Sequence, residues 1–402
     1  MIKKIIKKTL NLIVFYYYKN FFLKNIIKLN QFCDLRNIKD IYILYEGGFG
    51  HTISEISIIE NYEKNKSCFV FFFQKRRYHN KYLKILKLNK VKIFTFEIPI
   101  LFYNYWDIEI SKKVFILIQK SIKDKNVKNF DLIEKNIKVK FSRSCENGCA
   151  DIHWFNKEFV FSLKKNFNKK IEKIIYQKVN NAYYQKILIL LRYKKDRNDF
   201  TNYDRNGYNT LETYKNLIKY IAEKKYLLFL HTDFIFSKNE KRFLKQYPNV
   251  IFSNKYVNLN KEILYLYFAT NSKYVITESG GGLVLPALSE RKILHINCWP
   301  LKHITPNSLI LFKHIYDNDN KKNLTLNEMI ANKLFYDGEY DLKKNYYTLV
   351  NNSSSEILNA FIELEQTREI SDNKNFDKFH DFCWSYANKN FLLSKSRDIK
   401  ND

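Results

Sequence analysis

The sequence predicts an α/β protein made of two doubly wound halves, each with its own parallel sheet, preceded by a basic amphipathic helix. Three observations carry this. Short, continuous apolar runs recur along the chain, as strands buried on both faces require, instead of the alternation of half-exposed strands. Segments with helical spacing separate those runs. Two glycine clusters, Gly47, Gly48 and Gly50 and then Gly280, Gly281 and Gly282, follow such runs directly, although the chain has only nine glycines. Glycine there either makes a tight turn or lets backbone N–H groups approach a ligand.

The first element is the helix, in residues 1–35. In MIKKIIKKTLNLIVFYYYKNFFLKNIIKL, Ile2, Ile5, Ile6, Leu10 and Ile13 fall on one helical face and Lys3, Lys4, Lys7 and Lys8 on the other. The longest uncharged run, Thr9 to Tyr18, is too short to cross a hydrocarbon core, which takes about 20 residues. No small-residue cleavage site follows, so a signal peptide is not expected. Lysines with aromatics fit a helix lying on an anionic membrane surface. The alternative is that its aromatic face packs on the protein.

A first domain is expected over 36–183. Its strands are DIYILY (40–45), SCFVFFF (67–73) and VKIFTF (91–96), with helices near 52–64 and 78–88, and a mainly helical, lysine-rich region from about 107 to 183. A second domain is expected over 184–320. Its strands are KILILLR (186–192), YLLFLH (226–231), NVIF (249–252), KYVIT (273–277) and KILHIN (292–297), with helices near 209–223, 238–246, 260–269 and 281–289. Residues 321–402 read as a helical segment packing on the body. In such folds ligands bind at the carboxyl ends of the strands, so the loops after Tyr45, Leu191 and Thr277 are expected to converge on one cleft.

Composition bounds the partners. With 402 residues and 46% hydrophobic content the chain can bury substantial cores. The net charge of +28 would ordinarily suggest an anionic partner. The lysines are spread along the chain, however, and Lys, Asn, Ile, Phe and Tyr are over-used together, as an AT-rich coding sequence produces. No aromatic-basic RNA-binding signature is present, so nucleic acid is not an expected partner. The six scattered cysteines read as reduced thiols. Cys145, Cys149 and His153 are four apart but have no fourth ligand nearby, and Asp317 and Asp319 read as a solvated loop. Neither a metal nor a cofactor is therefore expected.

The second glycine cluster carries the stronger motif. In YVITESGGGLVLPALSERKILHIN a strand runs into Glu278 and Ser279, then the three glycines, then a helix opening at about Leu283. Glycines at a helix N-terminus leave its free N–H groups open to an anion, and Ser279 adds a hydroxyl that can cap the helix or bond a phosphate oxygen. Neither loop is G-x-G-x-x-G or a Walker A loop, so NAD and ATP have no specific support.

TESGGGLVLPALSERKILHIN resembles the nucleotide-diphosphate-binding element of GT-B enzymes, as in heptosyltransferases and UDP-GlcNAc 2-epimerases. Together with EGGFGHT, with LLRYKKDRNDFTNYDRNGYNTLETYKNLIKYI and with HINCWPLKHITP, it is similar to a family of bacterial GT-B glycosyltransferases over roughly residues 40 to 315. The resemblance implies a GT-B fold, two Rossmann-like domains facing a cleft. It implies that Ser279, Gly280, Gly281 and Gly282 hold a donor diphosphate and that Arg192 points into the cleft, where a guanidinium can hold two phosphate oxygens. Arg205 and Asn206 would close over donor or acceptor, or form a solvated loop. Glu278 would bond ribose or sugar hydroxyls, or cap the helix. Gly47, Gly48, Gly50 and Thr52 would form the acceptor-side loop.

Sugar transfer with inversion needs a base for the acceptor hydroxyl and a favourable environment for the departing diphosphate. His51 titrates in the useful range, whereas Glu46 would need its pKa raised by burial, so His51 is preferred to Glu46. The expected activity is metal-independent transfer of a sugar from a nucleotide-sugar donor to a glycan or lipid-linked acceptor in surface polysaccharide biosynthesis, at the cytoplasmic face of a membrane contacted through residues 1–30. A sugar-nucleotide epimerase or polysaccharide pyruvyl transferase on the same architecture, and a non-catalytic binding module, are the alternatives.

Overall fold

The computed structural model of the chain describes residues 2–44, 49–62, 66–72, 78–96, 108–129, 159–179, 185–191, 211–232, 236–252, 259–278, 280–298, 308–332, 334 and 346–367. The chain divides into two compact units, Met1–Phe167 and Asn168–Asp402.

In the first unit, helix α1 (Ile2–Asp34) leads through a short turn into strand β1 (Asp40–Leu44), and α2 (Phe49–Tyr62), β2 (Ser67–Phe72), a 3-10 segment (Tyr78–Ile85), β3 (Val91–Phe96), α3 (Ile108–Ser121) and β4 (Asn126–Asn129) follow. The sheet has the order β3-β2-β1-β4 and every pair is parallel. Ile41 and Ile43 of β1, with Cys68 and Val70 of β2, form one buried face. Onto it pack Phe15, Phe22, Ile26, Leu29 and Cys33 of α1 and Val114 and Ile118 of α3. Packing on the protein is thus the fate of the α1 face from Phe15 to Cys33. The stretch 78–88 expected as a helix is the 3-10 segment, and residues 126–129 within the expected helical region form β4. Its sequence, NVKN, has no apolar signature; it is an edge strand made by pairing with β1.

Polar residues of α2 are also buried, Glu60 among them. Its carboxylate accepts the backbone N–H groups of Val91 at 2.7 Å, Lys90 at 3.0 Å and Asn89 at 3.2 Å, which ties the end of α2 to the start of β3. A buried acid so bonded is satisfied by structure alone.

The second unit contains α4 (Lys165–Val179, entering from the first), β5 (Lys186–Leu191), α5 (Leu211–Glu223), β6 (Leu227–Thr232), α6 (Lys238–Leu244), β7 (Val250–Ile251), α7 (Lys261–Asn271), β8 (Tyr274–Thr277), a 3-10 turn (Gly281–Leu283), α8 (Val284–Leu288) and β9 (Lys292–Cys298). Next come β10 (Ser308–Phe312), β11 (His314–Asp317), β12 (Lys322–Asn323), α9 (Leu326–Ala331), β13 (Tyr347–Val350) and α10 (Ser354–Gln366). The main sheet has the order β10-β9-β8-β5-β6-β7, all parallel. Counted from β5 this is 6-5-4-1-2-3, the Rossmann order, which reverses direction between β5 and β8. Tyr214, Leu217 and Ile221 of α5 and Ile357, Phe361 and Leu364 of α10 cover one face.

Residues 321–402 were expected to be helical, yet β12 and β13 join β11 in a small antiparallel sheet. β12 is only the two polar residues Lys322 and Asn323, and β13 lies thirty or more residues from its partner β11, so no local pattern announces either. Asp317 correspondingly ends a strand and is buried, where a solvated loop was expected. Its carboxylate accepts the N–H groups of Asp319 and Asn320 at 3.0 Å and the Asn320 side-chain amide at 2.8 Å, shaping the turn into β12.

Two carboxylates make this small sheet acid-sensitive. Lys322, with the N–H and hydroxyl of Thr325, pushes the Glu328 carboxyl from 4.5 down to about 2. The Asn320 backbone and side-chain amides, with the Asp319 N–H, hold Asp317 below its ordinary 3.8. Both folded values lie below the unfolded ones, so their stabilisation is complete above about pH 5 and is lost as pH falls toward about 2. The urea midpoint of the second unit is expected to drop over that window, and to drop less in Glu328→Gln. An equal drop in both proteins would assign the acid sensitivity elsewhere.

Candidate functional site

The candidate site in the second unit lies at the reversal point of its sheet. β5 and β8 run side by side, with Leu190 opposite Thr277, so both strands end at the same edge. The chain leaving β8 passes Glu278 and Gly280 and enters the 3-10 turn that opens α8. The Leu283 N–H donates to the Gly280 carbonyl at 2.9 Å, closing this turn.

Two of the three glycines have a backbone or packing reason to be glycine. Gly280 has φ 144° and ψ 177°, a conformation essentially closed to other residues. A Cβ on Gly282 would stand 3.2 Å from Cδ1 of Leu190, so this glycine brings the turn down against β5. Tyr265 of α7, fully enclosed, donates its hydroxyl to the Gly282 carbonyl at 2.8 Å and fixes the turn from beneath. Gly281 stands between them with an ordinary negative φ. That division matches the roles glycines play in dinucleotide-binding turns: one for the turn, one for close helix–strand packing, and one to let a phosphate approach the backbone.

The N-cap positions of the 3-10 turn and of α8, Gly280 and Leu283, supply no side-chain cap, and Glu278 is bonded within a polar cluster. It is 4% exposed. Its Oε1 accepts the Tyr214 hydroxyl at 3.2 Å and the Asn297 amide at 3.4 Å. Asn297, at φ 50°, exchanges paired bonds with Asn352, each backbone N–H donating to the other's side-chain oxygen at 2.7 Å, and Asn352 also donates to the Phe312 carbonyl. Lys313 is buried nearby; burial pushes its ammonium down and the Glu278 charge partly offsets this. A polar network thus ties the ends of β8, β9 and β10 to α5 and to the entry of α10. Tyr214, Asn297, Lys313 and Asn352 carry no sequence signal as site residues; a polar residue inside the apolar run KILHINC is the nearest thing to one.

In the first unit, α2 begins at Phe49, four residues after β1, beside the β1–β4 reversal of its own sheet. Gly50 and His51 lie in the first turn of α2, and the Ser54 hydroxyl donates to the Gly50 carbonyl at 3.0 Å. Thr52 is fully enclosed, so it packs inside the unit and does not line an open loop. Glu46, Gly47, Gly48, Arg192, Arg205, Asn206, Ser279, the His51 side chain, Cys145, Cys149 and His153 lie outside the described residues. Among the described residues, no group of three or more His, Cys, Asp or Glu could hold a metal ion, and no helix is long and apolar enough to cross a membrane.

No protein-family model matches the chain, and no curated protein matches it. Several solved structures are similar to it. An E. coli heptosyltransferase, WaaC with ADP-2-deoxy-2-fluoro heptose, is 12% identical over 76% of this chain and 99% of that one, with a TM-score of 0.37. A glycosyl transferase family 9 protein from Veillonella parvula DSM 2008 is 11% identical over 81% and 97%, with a TM-score of 0.47. The wall teichoic acid polymerase TagF is 11% identical over 97% and 99%, with a TM-score of 0.29. The class of this chain rests on its own two sheets: it is an α/β protein of two Rossmann-like units, with the Gly280–Leu283 turn at the strand-order reversal of the second.

Proposed function

We propose that the chain is a GT-B glycosyltransferase that moves a sugar from a nucleotide-diphosphate donor to a glycan or lipid-linked acceptor. The observation that carries the proposal is the turn Gly280–Leu283, drawn against β5 at the point where the second sheet reverses. Ligands of open α/β sheets bind at such a point.

In this reading the diphosphate lies over Gly281, with Ser279 and Arg192 bonding its oxygens. The Arg192 charge offsets the charge that develops on the leaving nucleotide. Glu278 does not touch the donor; it supports the turn through Asn297 and Tyr214. The acceptor oxygen attacks the anomeric carbon, the bond to the diphosphate breaks, and the acceptor proton passes to a general base, His51 or Glu46. The product is inverted. Arg205 and Asn206 close over the bound sugar nucleotide, and no divalent ion takes part.

The test is a thermal-shift panel of UDP, GDP, ADP, CMP and their sugar conjugates, with and without EDTA. One nucleoside diphosphate is expected to raise the melting temperature irrespective of EDTA, and Arg192→Ala to lose that rise. A rise abolished by EDTA would overturn the metal-free reading, and a rise unchanged in Arg192→Ala would remove that residue from the site.

A further inference from the structure

Helix α1 presents two opposite ridges. Phe15, Phe22, Ile26, Leu29 and Cys33 are buried in the first unit. At about 100° per residue, Ile13, Tyr17, Asn20, Lys24, Ile27 and Gln31 form a continuous line of three- and four-residue steps on the other side. Every residue of that line is exposed, Ile13 by 59%, Tyr17 by 80% and Ile27 by 58%, and Tyr16 beside it by 64%. From Ile13 to Ile27 the line is roughly 20 Å long. Exposed apolar side chains arranged in a row call for a covering surface, where scattered ones do not.

The charges beside the row say what covers it. Helix α1 carries seven lysines and a single acidic residue, Asp34. That acid is bridged by Lys125 at the far end of the helix. Lys24 lies in the row and Lys28 beside it, both exposed. Tyrosine and isoleucine among lysines, on a helix whose opposite face is committed to a folded domain, match the boundary of an anionic bilayer, where rings sit at headgroup depth and ammonium groups meet phosphate.

We propose that the outward ridge of α1, centred on Ile13, Tyr16, Tyr17 and Ile27, docks the protein in the plane of an anionic lipid surface. This holds the first unit at the membrane through a helix that lies in its plane. It does not depend on the donor-site reading.

The test is co-sedimentation of the full chain with vesicles of phosphatidylcholine alone and of phosphatidylcholine with 30% phosphatidylglycerol, at low and high salt. Wild type is expected to bind the anionic vesicles at least tenfold more tightly than the neutral ones, and to weaken with salt. The double variant Tyr17→Glu with Ile27→Glu is expected to lose at least tenfold in binding with an unchanged circular dichroism spectrum and melting temperature, since both positions are exposed. Lys24→Gln with Lys28→Gln is expected to reduce the salt dependence while the apolar contact remains. Nucleotide-induced thermal shifts, measured without vesicles, are expected to be the same in wild type and in these variants, which separates this proposal from the donor site. Equal vesicle binding by wild type and the glutamate variant would overturn it. So would a concentration-dependent dimer that the glutamate variant abolishes, which would make a second copy of the chain the occupant.

Discussion

Glu278→Ala is expected to destabilise the second unit by about 3 kcal/mol or more, read as a lowered urea midpoint at unchanged slope. The size follows from what the carboxylate faces. Removing it leaves the buried Tyr214 hydroxyl and Asn297 amide without this acceptor, and leaves the buried Lys313 ammonium without the opposite charge that offsets its desolvation. Glu278→Gln keeps an acceptor oxygen but not the charge, and is expected to fall between wild type and the alanine variant. A loss below about 1 kcal/mol for Glu278→Ala would show that Lys313 is held by other groups and that the network is not the support of the glycine turn.

Gly281→Val is expected to abolish binding of the nucleoside diphosphate, at least a hundredfold in Kd, while the protein keeps its fold. Gly280→Val and Gly282→Val serve as the contrast. The first forces a side chain into a backbone conformation costing of order 1–3 kcal/mol, and the second drives a branched side chain into Leu190, so both are expected to lose stability as well as binding. Calorimetric titration and thermal melting on the same three proteins separate the two effects. Equal destabilisation in all three would make Gly281 a packing glycine like its neighbours.

The two sheets were legible in the sequence wherever strands are buried on both faces. DIYIL, KILILL, LLFLHT and KILHINC are continuous apolar runs because a helix lies on either side of them. The strands that were missed lack this cause. NVKN is polar because it forms the edge of its sheet, and HIYD, KN and YTLV pair across the turn shaped by Asp317 and across a long connection. The glycine turn was legible as a break between a strand and a helix, but the separate conformations of its glycines were not. They depend on a φ value and on the proximity of Leu190, which is ninety residues away in sequence. Glu278 reads in the sequence either as a contact to ribose or sugar hydroxyls or as a helix cap, and its burial against Tyr214 and Asn297 comes from residues far away in the chain. On α1 the pattern of lysines and isoleucines announced an amphipathic helix, but which residues meet the protein follows from the packing of Phe15, Phe22 and Ile26 on β1 and β2.

The most direct test of the central claim is calorimetric titration of the wild-type chain with the nucleoside diphosphates UDP, GDP and ADP in the presence of EDTA. The account predicts saturable binding of one of them, one per chain, with a Kd in the micromolar range and a loss of at least a hundredfold in Gly281→Val, about 2.7 kcal/mol. The absence of saturable heat with all three at millimolar concentration would contradict the assignment of the Gly280–Leu283 turn as a donor diphosphate site.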